Sequence, residues 1–417
     1  MNTTFKLTCC VALGSMFGAS AWAQSSALQQ PAPDTRSRST VTLATAVDAA
    51  WQRAVSSREA QGQQQRAEAD RVAASSLWAS PPILELNHRN DRWQTDAGRR
   101  ENEIGIAWPL WLPGQRDARG AVADSGLSLA DQFQRAARLR IAGEVREKAW
   151  ALIAQQAVVA QAETLVRSLI ALTDDVERRV KAGDLARADA LAARAELLSA
   201  TAQLTEARHN ELTARSRWTL LTGLDRLSLA EEPPVAAQYP LTEHSEYRLA
   251  VSTTEHARRR AALVKSSHSS PPEVFVGARQ DIPGRNESSQ NSLNFGIRLP
   301  FGTADRNRPL QAAALSELDI AETAEQRLRD RLEADVMMAR AALQSNEEQL
   351  QAERTRASLL RERATLIDKS FRAGESALPE LLRSMSAAAQ ADSALSRQQA
   401  ALGLARARFH QSLGLLP

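Results

Sequence analysis

Apolar positions recur every seven residues along the two longest stretches of the chain. Val336, Leu343, Leu350, Ala357, Ala364 and Phe371 form one series, and Val145, Leu152, Val159, Val166, Thr173 and Val180 form its counterpart 191 residues earlier, with Thr173 the one polar member. A seven-residue seam held over six positions, twice, predicts long helices packed as in coiled coils. A companion seam runs through Leu332, Ala339, Asn346, Glu353, Leu360 and Ile367, and its counterpart through Ile141, Lys148, Gln155, Ala162, Leu169 and Val176. Both companions are polar in the middle, which fits a helix lining water and, equally, a locally exposed face of a bundle. Helices are expected over 118–181 and 310–372, and the first, at 64 residues, is about 95 Å long. Each ends near a glycine, Gly183 or Gly374, suited to the left-handed turn that reverses a chain. Second helices follow over 185–221 and 376–413, and shorter helical stretches are expected over 43–77 and 242–264.

Between the short and long helices the period changes to two. Leu293, Phe295, Ile297 and Leu299 alternate with Asn294, Gly296 and Arg298, and Ile104, Ile106 and Trp108 alternate with Glu103, Gly105 and Ala107. Shorter, less regular strands precede them near 83–89 and 273–279, with turns at 96–100 and 283–291, giving two β-hairpins, each with one apolar face. That face suits a small sandwich core or, with Trp93, Trp108, Trp111 and Phe301 near the strand ends, a lipid-facing wall. In lipid, four strands leave open edges, so the second reading requires several chains to close a barrel.

The two halves repeat. Ser80-Pro81-Pro82 returns as Ser270-Pro271-Pro272 at an offset of 190, and Pro109-Leu110, Ala182-Gly183 and Gly223-Leu224 return as Pro300-Phe301, Ala373-Gly374 and Gly414-Leu415 at 191. The chain reads as a signal peptide (1–23), an N-terminal linker (24–40), a first repeat (41–224; strands about 82–109, helical hairpin about 118–222), a joining segment (225–240) and a second repeat (241–417; strands about 273–301, helical hairpin about 310–413).

Composition narrows the function. Of 417 residues, 52 are Lys or Arg and 49 Asp or Glu, interspersed rather than striped, so nothing points to nucleic acid. Lys6, an apolar stretch over 7–22 and Ala21-Trp22-Ala23 mark an export signal cut between Ala23 and Gln24. A membrane anchor is the alternative, but about 16 residues is short for a span. Cys9 and Cys10 both lie in this leader, so the mature chain has no disulfide, thiolate metal site or cysteine nucleophile. Beyond it, no run of 18 apolar residues occurs.

These features, with the tandem hairpins, the Ala-Gly turns and the closing Ser-Leu-Gly-Leu at 412–415, resemble the TolC-like outer membrane factor family over 41–416. The resemblance implies a mainly α fold with a small β part. In it, tandem helical hairpins form a trimeric helical barrel continuous with a 12-stranded transmembrane β-barrel, four strands per chain. It implies a homotrimer in outer-membrane lipid, extending into the periplasm and working with a periplasmic adaptor protein and an inner-membrane proton-driven cation pump. The segment WPLWLPGQRDAR at 108–119 most resembles the branch that exports divalent heavy metals such as cobalt, nickel, zinc and cadmium. The same duct in a drug or organic-compound pump is the alternative, and a periplasmic coiled-coil adaptor or structural protein the second. The resemblance places the adaptor contact and closing turns at 182–191 and 373–382, hence Gly183, Asp184, Gly374 and Glu375. It places the gating carboxylate at Glu380, with Asp189 its repeat counterpart. A second acidic position is occupied by Arg383, which departs from the family pattern.

No nucleophile elbow, phosphate loop or dinucleotide fingerprint is present, so no enzyme, cofactor or metal site is expected. His88, His209, His244, His256, His268 and His410 form no chelating pair and read as surface or interface residues.

Overall fold

The computed structural model describes residues 42–227, 232, 240–267, 270–301 and 304–417. The leader with Ala23 and Gln24, the N-terminal linker, most of the joining segment and His268 lie outside them. The elements run α1 (Leu43–Arg53), α2 (Val55–Ala74), β1 (Ile83–Asn90), β2 (Arg100–Pro109), α3 (Gln115–Ala182), α4 (Arg187–Thr222), a 3-10 turn, α5 (Ser245–Ser266), β3 (Glu273–Ile282), β4 (Gln290–Arg298), α6 (Ala304–Arg372) and α7 (Leu378–Ser412). Each half therefore has the expected plan of short helix, hairpin, long helix and returning helix.

Boundaries differ where local signals conflict. The first helical stretch breaks at Ala54, whose extended backbone separates α1 from α2. In α6 the helix starts six residues before Leu310 and carries Pro309 inside it, beyond the first turn where proline is free of cost. β1 and β3 run one and three residues further than expected, because they pair continuously with β2.

Both long helices end alike. At the end of α3, Gly183 N donates to Val180 O at 3.2 Å and Asp184 N to Arg179 O at 2.9 Å. In α6, Gly374 N donates to Phe371 O at 3.1 Å and Glu375 N to Ser370 O at 2.9 Å. Gly183 and Gly374 hold φ +91° and +81°, the left-handed conformation that closes this double bond pattern. At about 1.5 Å per residue, the 68 residues of α3 span roughly 100 Å.

α3 is the central helix. Its seam residues Val145 and Leu152 are buried with Leu43, Val47 and Trp218 of α1 and α4. Against α7, Trp150 lies where Gly403 has no side chain, and a Cβ there would run into the indole. In α6 the polar middle of the companion seam is half-buried. Gln398 Nε2 of α7 donates to Asn346 Oδ1 at 3.1 Å, so this layer is a hydrogen-bonded contact within the hairpin. In α3, by contrast, Lys148 of that seam is exposed.

One buried ionic cluster joins the halves. Arg146 of α3 donates from Nε and Nη2 to the two oxygens of Glu232 at 2.9 and 2.7 Å, and from Nη1 to Gln411 Oε1 at 2.6 Å. His410 Nδ1 lies 2.9 Å from Glu232 Oε2. His244 is also buried and caps α5, its Nδ1 accepting from Glu246 N at 3.2 Å, and burial holds its imidazole below the ordinary value. His244 and His410 are thus interior residues, which corrects the surface reading: a ring nitrogen that caps a helix or meets a carboxylate can be buried at low cost.

Candidate functional site

The two hairpins form one antiparallel sheet in the order β1-β2-β3-β4, with β1 and β4 as its edges. The join between hairpins is β2 against β3, with Gly105 opposite Gly277 and Ile104 opposite Ala278. Because directly paired residues share a face, the register sorts the sheet into two sides. One carries the rows Trp108–Val274–Ile297, Leu84–Ile106–Val276–Phe295 and Leu86–Ile104–Ala278–Leu293. The other carries Glu85, Glu101, Glu103, Glu273 and Asp281 with Arg89, Arg279 and Arg298.

Among the described residues, nothing covers the apolar side. Leu86 is 67% exposed, Phe295 74% and Ile297 70%. Aromatic residues stand at both ends of the band: Trp93 is exposed at the β1–β2 turn, while Trp78 and Trp108 lie 6.3 Å apart at the helix end, near exposed Phe301. Trp111 anchors that end, its Nε1 donating to Leu77 O at 3.1 Å. On the polar side, charges are matched: Arg279 Nη2 reaches Glu101 at 2.9 Å, Arg298 Nη1 reaches Glu273 at 2.5 Å, and Asn294 Nδ2 donates to Glu103 at 3.2 Å. Phe275 lies on this side in the space left by Gly105 and Gly277.

The second group of candidate residues lies at the far end of the helices. There α3, α4, α6 and α7 converge on a cluster of Val176, Ala193, Phe371, Leu378 and Leu381, and the Arg179 guanidinium stacks over the Phe371 ring at 5.2 Å. Asp184 and Glu375 follow the two turn glycines and are exposed. Asp189 and Glu380 are third in their helices. Asp189 turns back to accept from Ala186 N at 3.2 Å, whereas Glu380 is exposed in the first turn of α7. The repeat brings the two carboxylates to equivalent places in α4 and α7.

Sequence reading missed the β2–β3 pairing, the Arg179–Phe371 stack and the Arg146 cluster. None of the three shows in the heptad pattern: Arg146 follows Val145 by one position and so lies about 100° round the helix from the seam. Among the described residues, no helix is long and apolar enough to cross a membrane, and no group of three or more His, Cys, Asp or Glu is arranged to hold a metal ion.

The chain matches no protein-family model, and no curated protein aligns with it. Solved structures do match. A structure of CusC superposes with a TM-score of 0.74 at 15% identity, over 89% of this chain and 92% of that one. The outer membrane protein VceC of Vibrio cholerae gives 0.70 at 15% identity, over 89% and 96%. The CmeC outer membrane channel of Campylobacter jejuni gives 0.69 at 13% identity, over 89% and 85%. With its four-stranded sheet set on two long helical hairpins, the chain has the TolC-like fold of these outer membrane channels.

Proposed function

We propose that three copies of this chain form an outer-membrane exit duct of a tripartite efflux pump. The observation that carries this reading is the apolar, uncovered face of an open four-stranded sheet joined to helices about 100 Å long. An apolar wall with a polar reverse is what a barrel in lipid requires, and open edges in lipid require neighbours. Twelve strands from three chains satisfy both, with Glu103, Arg279 and Arg298 toward the pore. The helices then extend into the periplasm, where the turns at Gly183 and Gly374 meet an adaptor protein linked to a proton-driven inner-membrane pump. The duct supplies no chemistry and needs no cofactor.

For cargo we infer divalent heavy-metal cations, on the resemblance of residues 108–119 to the metal-exporting branch. Deleting the coding region and measuring growth in cobalt, nickel, zinc and cadmium beside hydrophobic drugs tests this. Sensitivity to metals with raised cell metal content is expected; sensitivity to drugs alone would keep the duct and replace its cargo.

The gate we assign to Glu380, since Asp189 already serves its own helix end. Three Glu380 carboxylates around a threefold axis would repel one another and attract cations. Glu380→Ala is expected to raise single-channel conductance or weaken cation block in planar bilayers. No change in either would remove Glu380 from the gate.

A further inference from the structure

The apolar face of the sheet ends at a defined row. After Leu86–Ile104–Ala278–Leu293 comes His88–Asn102–Gln280–Asn291. Here His88 Nδ1 and Asn102 Oδ1 are 2.7 Å apart, and Asn102 Nδ2 donates to Gln280 Oε1 at 3.3 Å. The next row brings Arg100, paired between Asn90 and Ile282 on the same face. The β1–β2 turn beyond adds Arg92, Trp93 and Arg99, and all four side chains are exposed.

Among the described residues, the β1–β2 turn has no acid left for its arginines. Its two carboxylates are already engaged: Asp91 accepts from Thr95 Oγ1 at 3.0 Å and from Ala97 N at 2.8 Å, and Asp96 pairs with Arg285 of the other hairpin at 2.6 Å. On the reverse of the sheet, by contrast, Arg279 and Arg298 each meet a carboxylate of their own. The tip guanidiniums left over are those at the end of the apolar band.

We propose that Arg92, Arg99 and Arg100, with Trp93, hold the phosphate of a lipid whose acyl chains lie on the apolar face. Guanidinium presents a planar fork that matches phosphate oxygens two at a time, and an indole settles at the boundary between acyl chains and headgroups. The partner must be apolar over the band and anionic at its rim, and a phosphate-bearing lipid is both. The second tip makes no such site, since Arg285 is spent on Asp96. Each chain therefore binds lipid on its β1–β2 side, and the contact sets the depth of the sheet in the bilayer. This inference rests on the outer-membrane reading above.

The test uses the full mature protein in neutral detergent, with lipid A and enzymatically dephosphorylated lipid A as probes. Arg92→Ala/Arg99→Ala/Arg100→Ala is expected to weaken lipid A binding by at least about tenfold, the loss of one or more charge-assisted hydrogen bonds. Dephosphorylated lipid should bind the unaltered protein as weakly as lipid A binds the variant, and Arg89→Ala, on the polar face, should leave binding unchanged. Should the triple variant fail to assemble, Arg100→Gln alone is expected to show a smaller loss in the same direction. Equal binding of both lipids, undiminished binding by the variants, or displacement by equimolar inorganic phosphate would each overturn the proposal. A protein recovered outside the membrane fraction would instead overturn the duct, so the two failures are separable.

Discussion

Arg146 is 1% exposed, and its guanidinium ties the middle of α3 to Glu232 in the segment between repeats and to Gln411 and Leu415 at the end of α7. Removing one member of a buried pair strands the other charge, so Arg146→Ala should cost about 3–5 kcal/mol, while Arg146→Met with Glu232→Leu should cost less than Arg146→Ala alone. Thermal unfolding of the three proteins, read as loss of helical circular dichroism, checks the order; equal losses would mean that packing rather than charge holds this junction. The same cluster predicts a pH response. Burial alone would raise the Glu232 carboxyl, but hydrogen bonds from His410 and Arg146 outweigh it and hold it below its ordinary value of 4.5. A lowered carboxyl stabilises the fold fully above the unfolded value, and that contribution is lost as pH falls through the folded one. Glu232→Gln should flatten the acid limb of the stability profile below pH 4.5.

At the scale of elements, what was legible followed from short-range pattern. Heptads located the long helices, and Gly183 and Gly374 located their ends, because a helix face and its left-handed terminus are set by residues a few positions apart. Alternation located the strands for the same reason. The start of α6 was hidden, because Pro309 is a local stop signal that the rest of a 69-residue helix overrides. The β2–β3 pairing was hidden too, since Gly105 and Gly277 are remote in sequence and no local period records which strand edges meet. That pairing makes the sheet one surface, and the surface yields a prediction about neighbours in β4. Phe295 stands in the middle of the apolar side and Asn294 on the polar side. Phe295→Arg should cost about 2–4 kcal/mol if that side meets the bilayer centre, enough to deplete the heat-modifiable form in outer membranes. Asn294→Arg should assemble normally. Equal tolerance of both would return the sheet to a soluble role.

Over the whole molecule, the decisive feature is what one chain leaves unfinished. β1 and β4 each expose one edge of backbone donors and acceptors, and their side chains form the two borders of the apolar wall. The exposed leucines of α4 and α6, among them Leu198, Leu212, Leu359 and Leu366, leave the helical part equally open. Within one chain the two edge strands are three strand spacings apart, about 14 Å, well beyond the roughly 7 Å that a disulfide can bridge. Any β1–β4 disulfide must therefore join two molecules. With Cys9 and Cys10 replaced by serine, engineered thiols are the only ones in the chain. A cysteine fixed at Leu293 in β4, combined with single cysteines moved along β1 from Ile83 to Asn90, should crosslink strongly at one register and weakly two residues either side. On a non-reducing gel the product should climb from dimer to trimer and stop there, because a closed ring offers no further edge. A ladder passing trimer would overturn the threefold count, and no crosslink at any β1 position would mean that these edges never meet.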